Sequence, residues 1–455
     1  MQKVKIVMLF LQLFISNILI VLVDGNYNYR EFTFKEHITP LYYKLDIELP
    51  NHIRQNIAIN GESRITIRIE ENIEHLGFLS FAFVQDVTLH KINPYNVTIR
   101  EPYVREHLIA TYKPKKHQLK DSLVVLVFNK AIECGYYVLE IIFSTEVTNS
   151  AETDGFILTS YKNLKGELQW MVATQTRVRG PQALFPCWDN PRLKTVFDVS
   201  IRHRTNYMVF TNSKIHNFEL EKSNVRMWTH FESTPPIPAH CIDIIVLPKT
   251  SYFTYVYLDN VTMWIPDISD LSPEFDFAWN ITKEVTKYLM EQNLLDQCKV
   301  TQTNYIALEN LSHEILVNPS FILYRKENIQ IHSVSWYYSL YLISPKEQKE
   351  MNVALLIAQK ITYQWILRST NPSYWLFSRV KDGSNFLAMC ILQKVLPEFK
   401  VAFWQIKSQY EYFYEISLIE YSYITSFIID ENDVMRFIIS TRTELCESNE
   451  ESFFN

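Results

Sequence analysis

Polar side chains stand at helical spacing inside the apolar segment LLIAQKITYQWIL, residues 355–367. Gln359 and Tyr363 are four residues apart, so a helix would place them on one face, with Lys360 beside the first. Two imidazoles at this spacing, with a carboxylate next to the first, hold a zinc ion and activate its water. Here the first position offers a neutral amide, and the second a phenol that ionises only near a pKa of about 10. The spacing therefore suits metal chemistry, but the residue types do not.

Two charged residues complete this constellation. Eighteen residues separate Tyr363 from Asp382, whose carboxylate is the one good metal ligand of the set. A single carboxylate does not hold zinc against water. Lys360 carries an ammonium group, which cannot take a proton from water and repels a nearby cation. Two roles stay open for Lys360: it pairs with Asp382 and takes the place of a metal charge, or it points into solvent.

Hydrophobic periodicity predicts the strands and helices that would position these residues. Between residues 29 and 247 apolar residues alternate with polar ones in short runs such as SRITIRIE and TVFDVSI, which predicts an antiparallel β domain. From about residue 251 the spacing becomes helical. It predicts helices within 273–295, 352–367 and 384–396, with Pro372 in the loop between the last two.

Composition limits the function classes. The chain has 455 residues, 47% of them hydrophobic and 21% charged, which fits a globular protein of about two to three domains. The net charge of −6 and the lack of a basic stripe argue against nucleic-acid binding. With 8 glycines there is no Gly-rich phosphate loop, and no G-x-S-x-G nucleophile motif occurs.

The N-terminus predicts secretion. Lys3 and Lys5 precede an apolar run and a small residue at Gly25, the pattern of a signal peptide over residues 1–25. The alternative is an uncleaved signal anchor, since 18 apolar residues nearly span a bilayer. Six cysteines could form disulfides in several ways. Four N-glycosylation sequons are predicted, at Asn96, Asn260, Asn280 and Asn310.

Several blocks resemble the aminopeptidase N-like family of zinc metallopeptidases, the gluzincin aminopeptidases. The longest is residues 155–201, where FPCWDNP at 185–191, Lys194 and Phe197-Asp198 stand for the family's FPCFDEP and the residues after it. The resemblance implies a multidomain α+β fold. It has a β-rich N-terminal domain at 26–247 and a partial thermolysin-like α/β domain at 248–455. It covers about the first half of a full-length member, so the second domain is expected to be C-terminally truncated.

The resemblance also assigns roles to the polar constellation. The family's zinc ligands are two His and a Glu, and their positions are taken by Gln359, Tyr363 and Asp382. The family's general base is a Glu, and Lys360 stands in its place. Zinc is therefore expected to be the family's cofactor but to be lost here, and catalysis with it.

Substrate recognition is altered in the same way. Residues 306–325 align without a gap to the family segment that binds the substrate's free amine. Val317 then occupies the position of the amine-binding Glu, and Asn318 is retained. Gln175 matches a family residue near the substrate's first side chain. No tyrosine occurs near the position of the family's oxyanion-stabilising Tyr, beyond residue 445.

The sequence thus predicts a secreted, glycosylated, catalytically inactive aminopeptidase homologue that acts as a binding or interaction protein. Its expected partners are peptides or an extracellular protein, with no nucleic acid, and with membrane association only if the N-terminal segment stays uncleaved. Two alternatives stay open. One is a working metallo-aminopeptidase with an unusual ligand set, and the other is a truncated product whose incomplete second domain folds poorly.

Overall fold

A computed structural model gives the fold of the chain. It describes residues 37–397, apart from residues 55–56, 93–107, 119–121, 149–154, 164, 177–179, 191, 250–251, 258–259, 267–272, 292–297, 310, 312–315, 332–344 and 370–376. The predicted signal peptide and Pro372 lie outside the described residues. Within them, no helix is both long enough and apolar enough to cross a bilayer.

Strands dominate the described part of the chain. They are β1 (Ile38–Glu48), β2 (Ala58–Ile69), β3 (Ile73–Leu79), β4 (Phe83–Ile92), β5 (Leu108–Tyr112), β6 (Lys115–Gln118), β7 (Leu123–Ile132), β8 (Gly135–Thr148), β9 (Gly155–Lys162), β10 (Leu168–Gln175), β11 (Val196–Arg204), β12 (Tyr207–Thr211), β13 (Ile215–Leu220), β14 (Arg226–Phe231), β15 (Ile244–Pro248), β16 (Tyr252–Tyr257), β17 (Val261–Pro266), β18 (Thr303–Leu308), β19 (Leu316–Val317) and β20 (Phe321–Arg325). The helices are α1 (Pro273–Glu291), the short α2 (Lys326–Ile329), α3 (Pro345–Ser369) and α4 (Phe377–Val395).

The first half of the described chain forms a large mixed sheet. Its strand order is β12-β15-β10-β9-β8-β2-β1-β11-β14-β13. In addition, β4 pairs with β8, and β5 pairs with β4. A smaller sheet of β3, β7 and β6 lies beside it. Most pairs are antiparallel, as the alternating pattern predicts, but β1 runs parallel to β11 and β8 parallel to β9. Local alternation carries no information about whether two paired strands run parallel or antiparallel. The expectation of a purely antiparallel domain is therefore wrong in these two pairs.

Aromatic residues of the FPCWDNP segment pack into the core of this sheet. Phe185 is fully buried, with its ring edge-on to Tyr43, and Tyr43 stacks on Phe197 at 4.7 Å between ring centroids. The backbone of Cys187 exchanges two hydrogen bonds of 2.9 Å with Leu79, which ties the segment to the smaller sheet. The segment is therefore part of the core packing.

A second sheet begins four residues after the first one ends at Pro248. Its order is β16-β17-β18-β20-β19, and α1, α3 and α4 share one apolar core with it. Most of the apolar residues at helical spacing are buried in that core, namely Ile281, Val285 and Leu289 on α1 and Val353, Ile357 and Ile361 on α3. Phe277 and Leu356 are half-buried and pack against it.

The two sheets are joined by a core of their own. Ile157, Met171 and Ile245 from the large sheet pack with Ile306 and Phe321 from the second sheet. A disulfide adds a covalent connection. Cys241, in a short 3-10 turn before β15, is bonded to Cys298, which follows α1. The sheets therefore meet through both apolar packing and a cross-link.

Candidate functional site

Helix α3 carries the residues that the sequence assigns to the metal face. Tyr363 is buried, with 6% of its surface exposed, and Gln359 and Lys360 are half-buried. Asp382 lies in α4, which packs against α3. The side chain of Asp382 is outside the described part of the structure, so the two roles left open for Lys360 both remain predictions. The two helices that the constellation needs are adjacent.

Val317 lies on β19, a two-residue edge strand paired with β20, where it faces Ile322. Its side chain is 2% exposed and packs in the core of the second sheet. Residues 312–315 of the aligned segment are outside the described residues. The position assigned to an amine-binding carboxylate is therefore filled by a buried hydrocarbon.

Asn318 is the centre of a buried polar cluster between the two sheets. Its side-chain amide donates to the carbonyl oxygen of Thr174 at 2.8 Å, and to Asp243 Oδ1 at 3.0 Å. Asp243 Oδ2 accepts from the backbone N–H of Ser320 at 2.8 Å and from its hydroxyl at 3.0 Å. Thr174 is the next-to-last residue of β10 and Asp243 precedes β15, so these bonds fasten the 318–320 segment to the large sheet.

Two residues of α3 hold the same segment from the other side. Gln364 donates to the carbonyl oxygen of Asn318 at 2.7 Å and accepts from the hydroxyl of Tyr305 at 3.2 Å. Arg368 donates to the carbonyl oxygen of Pro319 at 2.7 Å and to Thr303 Oγ1 at 2.7 Å. All of these groups are buried. The helix that carries Gln359 and Tyr363 is thus bonded to the strand that carries Val317.

Burial raises the pKa of the Asp243 carboxyl from 3.8 to about 7, although hydrogen bonds from Ser320 and Asn318 and the positive charge of Arg368 lower it. The carboxyl therefore gives up its proton near neutral pH, well above the usual range of an aspartate.

Gln175 is buried at the end of β10, next to Thr174. Asn318 bonds to Thr174, the residue before Gln175, so the two residues that the sequence assigns to substrate binding lie on directly bonded segments. The structure also shows what the sequence misses, namely Asp243, Gln364 and Arg368. Two signals were available: a charged residue at the head of the apolar strand IIVLP, and a Gln and an Arg at i, i+4 spacing on an apolar helix.

The predicted glycosylation sites divide into three groups. Asn280 is exposed on α1, where a glycan could be attached without displacing packed residues. Asn260 is half-buried in the turn before β17, and its Oδ1 is buried without a hydrogen bond to any described residue. Asn96 and Asn310 lie outside the described residues.

Among the described residues one cluster has metal-ligand types close together: His240, Cys241 and Cys298, with ligand atoms within 4.8 Å of one another. The two sulfurs are bonded to each other, so neither is a thiolate that could bind a metal. Burial lowers the pKa of His240 to about 4, so the ring is neutral at physiological pH. The cluster is a packed disulfide.

Comparison with known proteins shows similarity to aminopeptidases. Residues 39–240 match the peptidase M1 N-terminal domain. The chain is 23% identical to human Aminopeptidase Q over 264 residues, 56% of this chain and 25% of that protein. It is 23% identical to glutamyl aminopeptidase of Sus scrofa over 394 residues, 85% of this chain and 38% of that protein. It is 22% identical to the thyrotropin-releasing hormone-degrading ectoenzyme of Rattus norvegicus over 361 residues, 76% of this chain and 30% of that protein.

These matches define a protein built on the N-terminal domain of a metallopeptidase. Residues 39–240 are of the peptidase M1 N-terminal type, and the relatives support an M1 aminopeptidase-like family member, at low identity. It spans between a quarter and two fifths of the length of the three relatives described here.

Proposed function

We propose that this protein is a catalytically inactive member of its family that acts outside the cell, or at its surface, by binding peptides or an extracellular protein. The proposal joins two observations. The matching relatives are aminopeptidases, and the helix α3 carries Lys360 where the family has a catalytic carboxylate. Lys360 is the observation that carries the proposal, because an ammonium group cannot act as the base.

The donor set on α3 supports the loss of the metal. Protein ligands of zinc are thiolates, imidazoles and carboxylates. Gln359 supplies an amide and Tyr363 a buried phenol, and Lys360 adds a positive charge beside them. These residues do not fit a zinc ion. Asp382 on the adjacent α4 is the one carboxylate at a ligand position.

The recognition of a free amine is expected to be lost as well. An ammonium group entering a partly buried cleft needs a carboxylate to offset its desolvation. Val317 offers a methyl surface, and the side-chain amide of Asn318 is already bonded to Thr174 and Asp243. Ligands with a blocked or internal N-terminus therefore suit this site better than free N-termini.

The location and the domain organisation belong to the same proposal. The signal sequence over residues 1–25, the Cys241–Cys298 disulfide and a relative named as an ectoenzyme favour an extracellular or cell-surface site. We assign residues 26–247 to an aminopeptidase-type N-terminal domain. We assign residues 248–455 to a thermolysin-like domain, on the strength of the α3–α4 pair packed on a five-stranded sheet.

The test is metal content and turnover of the secreted, purified chain. We expect less than stoichiometric zinc by elemental analysis and no hydrolysis of aminoacyl reporter substrates. One tightly bound zinc per chain with chelator-sensitive turnover would instead establish the alternative, a working enzyme with an unusual ligand set.

A restoring variant makes a negative result informative. The combined change Gln359→His, Lys360→Glu, Tyr363→His and Asp382→Glu supplies the family's ligands and base on the same two helices. We expect this variant to take up zinc while the natural chain does not. If neither binds zinc although both are folded by circular dichroism, the assignment of α3 and α4 as the former metal site is wrong.

A further inference from the structure

Among the described residues, no strand pairs with the outer side of the last strand of the large sheet. β13 pairs on one side with β14 and ends the strand order of the sheet. Every residue of β13 is exposed, including Ile215, Phe218 and Leu220, whose exposed fractions are 39%, 60% and 55%. An exposed edge with unpaired backbone groups and apolar side chains is a template for pairing with another strand.

These three apolar residues share one face, although their spacing is not regular. The register of β13 against β14 shifts by one residue between Ile215 and Asn217, which marks a bulge at His216. Because of that extra residue, Ile215 lies on the same face as Phe218 and Leu220. Asn217 and Glu219 point to the opposite face.

The apolar face of β13 continues the core-facing side of the sheet. Across the strands β11, β14 and β13, Ile201 lies opposite Thr229, and Thr229 lies opposite Phe218. Ile201 and Thr229 are buried, whereas Phe218 is not. Ile215 likewise stands opposite Phe231, which belongs to the core. The side of the sheet that faces the core at β11 and β14 thus continues onto β13, where its apolar side chains are exposed.

The sequence of this edge complements itself. We propose that β13 pairs antiparallel with β13 of a second copy of this chain, about a two-fold axis at Phe218. Counting from Phe218 and allowing for the bulge, Phe218 faces Phe218, Leu220 faces Ile215, and Glu221 faces Lys214. Lys222 then faces Ser213 and Glu219 faces Asn217, so no like charges meet directly. Opposite residues of an antiparallel pair interact through their side chains, and a two-fold interface uses one patch twice.

Within one chain the charged partners are compatible with this pairing. Lys214 is exposed, and Glu221 is bonded to Arg202 of β11 at 2.5 Å, which fixes its carboxylate at the edge. The pairing would continue the sheet across the axis and bring the apolar side chains of the two copies into contact side by side.

The first experiment measures mass against concentration. Light scattering on the secreted chain is expected to show a concentration-dependent dimer. Phe218→Lys, which places two like charges at the axis, is expected to raise the dissociation constant about tenfold or more. Leu168→Lys is the matched control, because Leu168 is similarly exposed, at 54% against 60% for Phe218, but lies away from this edge. A monomer at every concentration, or an equal effect of both variants, contradicts the proposal.

A cross-link tests the register itself. Opposite residues of an antiparallel pair have Cα atoms about 4.5–5.5 Å apart, within the range that a disulfide spans. In a Cys134→Ser background, which removes the exposed free thiol, Phe218→Cys is expected to form a covalent dimer on mild oxidation. Val225→Cys, exposed in the turn of the same hairpin, is the control. Cross-linking at equal rates would mean random collision and would overturn the register.

Discussion

The side-chain amide of Asn318 donates a hydrogen bond to Asp243 at 3.0 Å, and through this contact the strand assigned to ligand recognition is held against the large sheet. Both residues are buried. Asn318 also binds Thr174, and its carbonyl oxygen accepts from Gln364 of α3. One residue therefore connects both sheets and the helix, which explains its presence without any ligand.

Removing the Asn318 amide should destabilise the fold. Asn318→Ala leaves the carbonyl oxygen of Thr174 and one oxygen of Asp243 without their donor in a buried site, at a cost on the order of 1–3 kcal/mol. Urea unfolding of the variant should show this loss. Asn280→Ala, at an exposed position of α1, should change stability by no more than about 0.5 kcal/mol. Equal effects would mean that the buried cluster contributes nothing.

The stability of the protein should fall between about pH 4 and pH 7 through Asp243. Its pKa is 3.8 ordinarily and about 7 in the folded protein, so the folded state binds the proton more tightly. The folded state is then favoured at low pH, and this advantage is lost as pH rises through the folded pKa. Asp243→Asn should flatten the dependence when unfolding is compared at pH 5 and pH 8. Asp86→Asn, at an exposed carboxyl, should leave the slope unchanged.

Breaking the Cys241–Cys298 disulfide should cost more than any single hydrogen bond. The two cysteines are 57 residues apart, and closing a loop of that length in the unfolded chain corresponds to about 4 kcal/mol in the chain-entropy account. We expect the Cys241→Ser, Cys298→Ser double variant to unfold at a markedly lower urea concentration. Cys134→Ser, a change at an exposed free thiol, serves as the control. A double variant as stable as the control would argue that the disulfide does not constrain the chain.

Metal removal should leave the natural chain unaffected. A tightly bound ion stabilises the folded state by mass action, so its removal lowers the melting temperature. With Gln359, Lys360 and Tyr363 on α3, we expect the same melting temperature before and after dialysis against a chelator. The restoring variant described above should melt lower after the same treatment. A chelator effect on the natural chain would count against the loss of zinc.

The helices were predictable because their apolar residues repeat at helical spacing, as Ile357 and Ile361 do on α3. The second sheet was not. All six residues of β18 are buried, so its sequence TNYIAL shows no alternation between two faces. The parallel pair of β1 and β11 depends on residues more than 150 positions apart, as in the contact between Tyr42 and Val196. No local pattern carries that information.

The candidate site also has a part that the sequence predicts and a part that only the structure shows. Helical spacing was enough to place Gln359 and Tyr363 on one helix, whereas the strand that carries Val317 was not predicted. The cluster around Asp243 was missed because it joins four separate segments, and its carboxylate has no neighbour in sequence that suggests a role. A charged residue in an apolar strand shows only that some partner is needed. Its partners, Ser320 and Asn318, follow from the fold.

The bonds from Gln364 and Arg368 to residues 318 and 319 have a consequence for how such sequences are compared. Purifying pressure on folding alone would keep Asn318, Gln364 and Arg368, because each loss would strand a buried polar partner. In a family member that has lost its catalytic residues, as we propose for this one, the motif residues that remain are then expected to be those that also stabilise the fold. The number of motif residues shared with active relatives would therefore overestimate the activity of such a chain. The shared motif residues that make no structural hydrogen bond are the better measure of its activity.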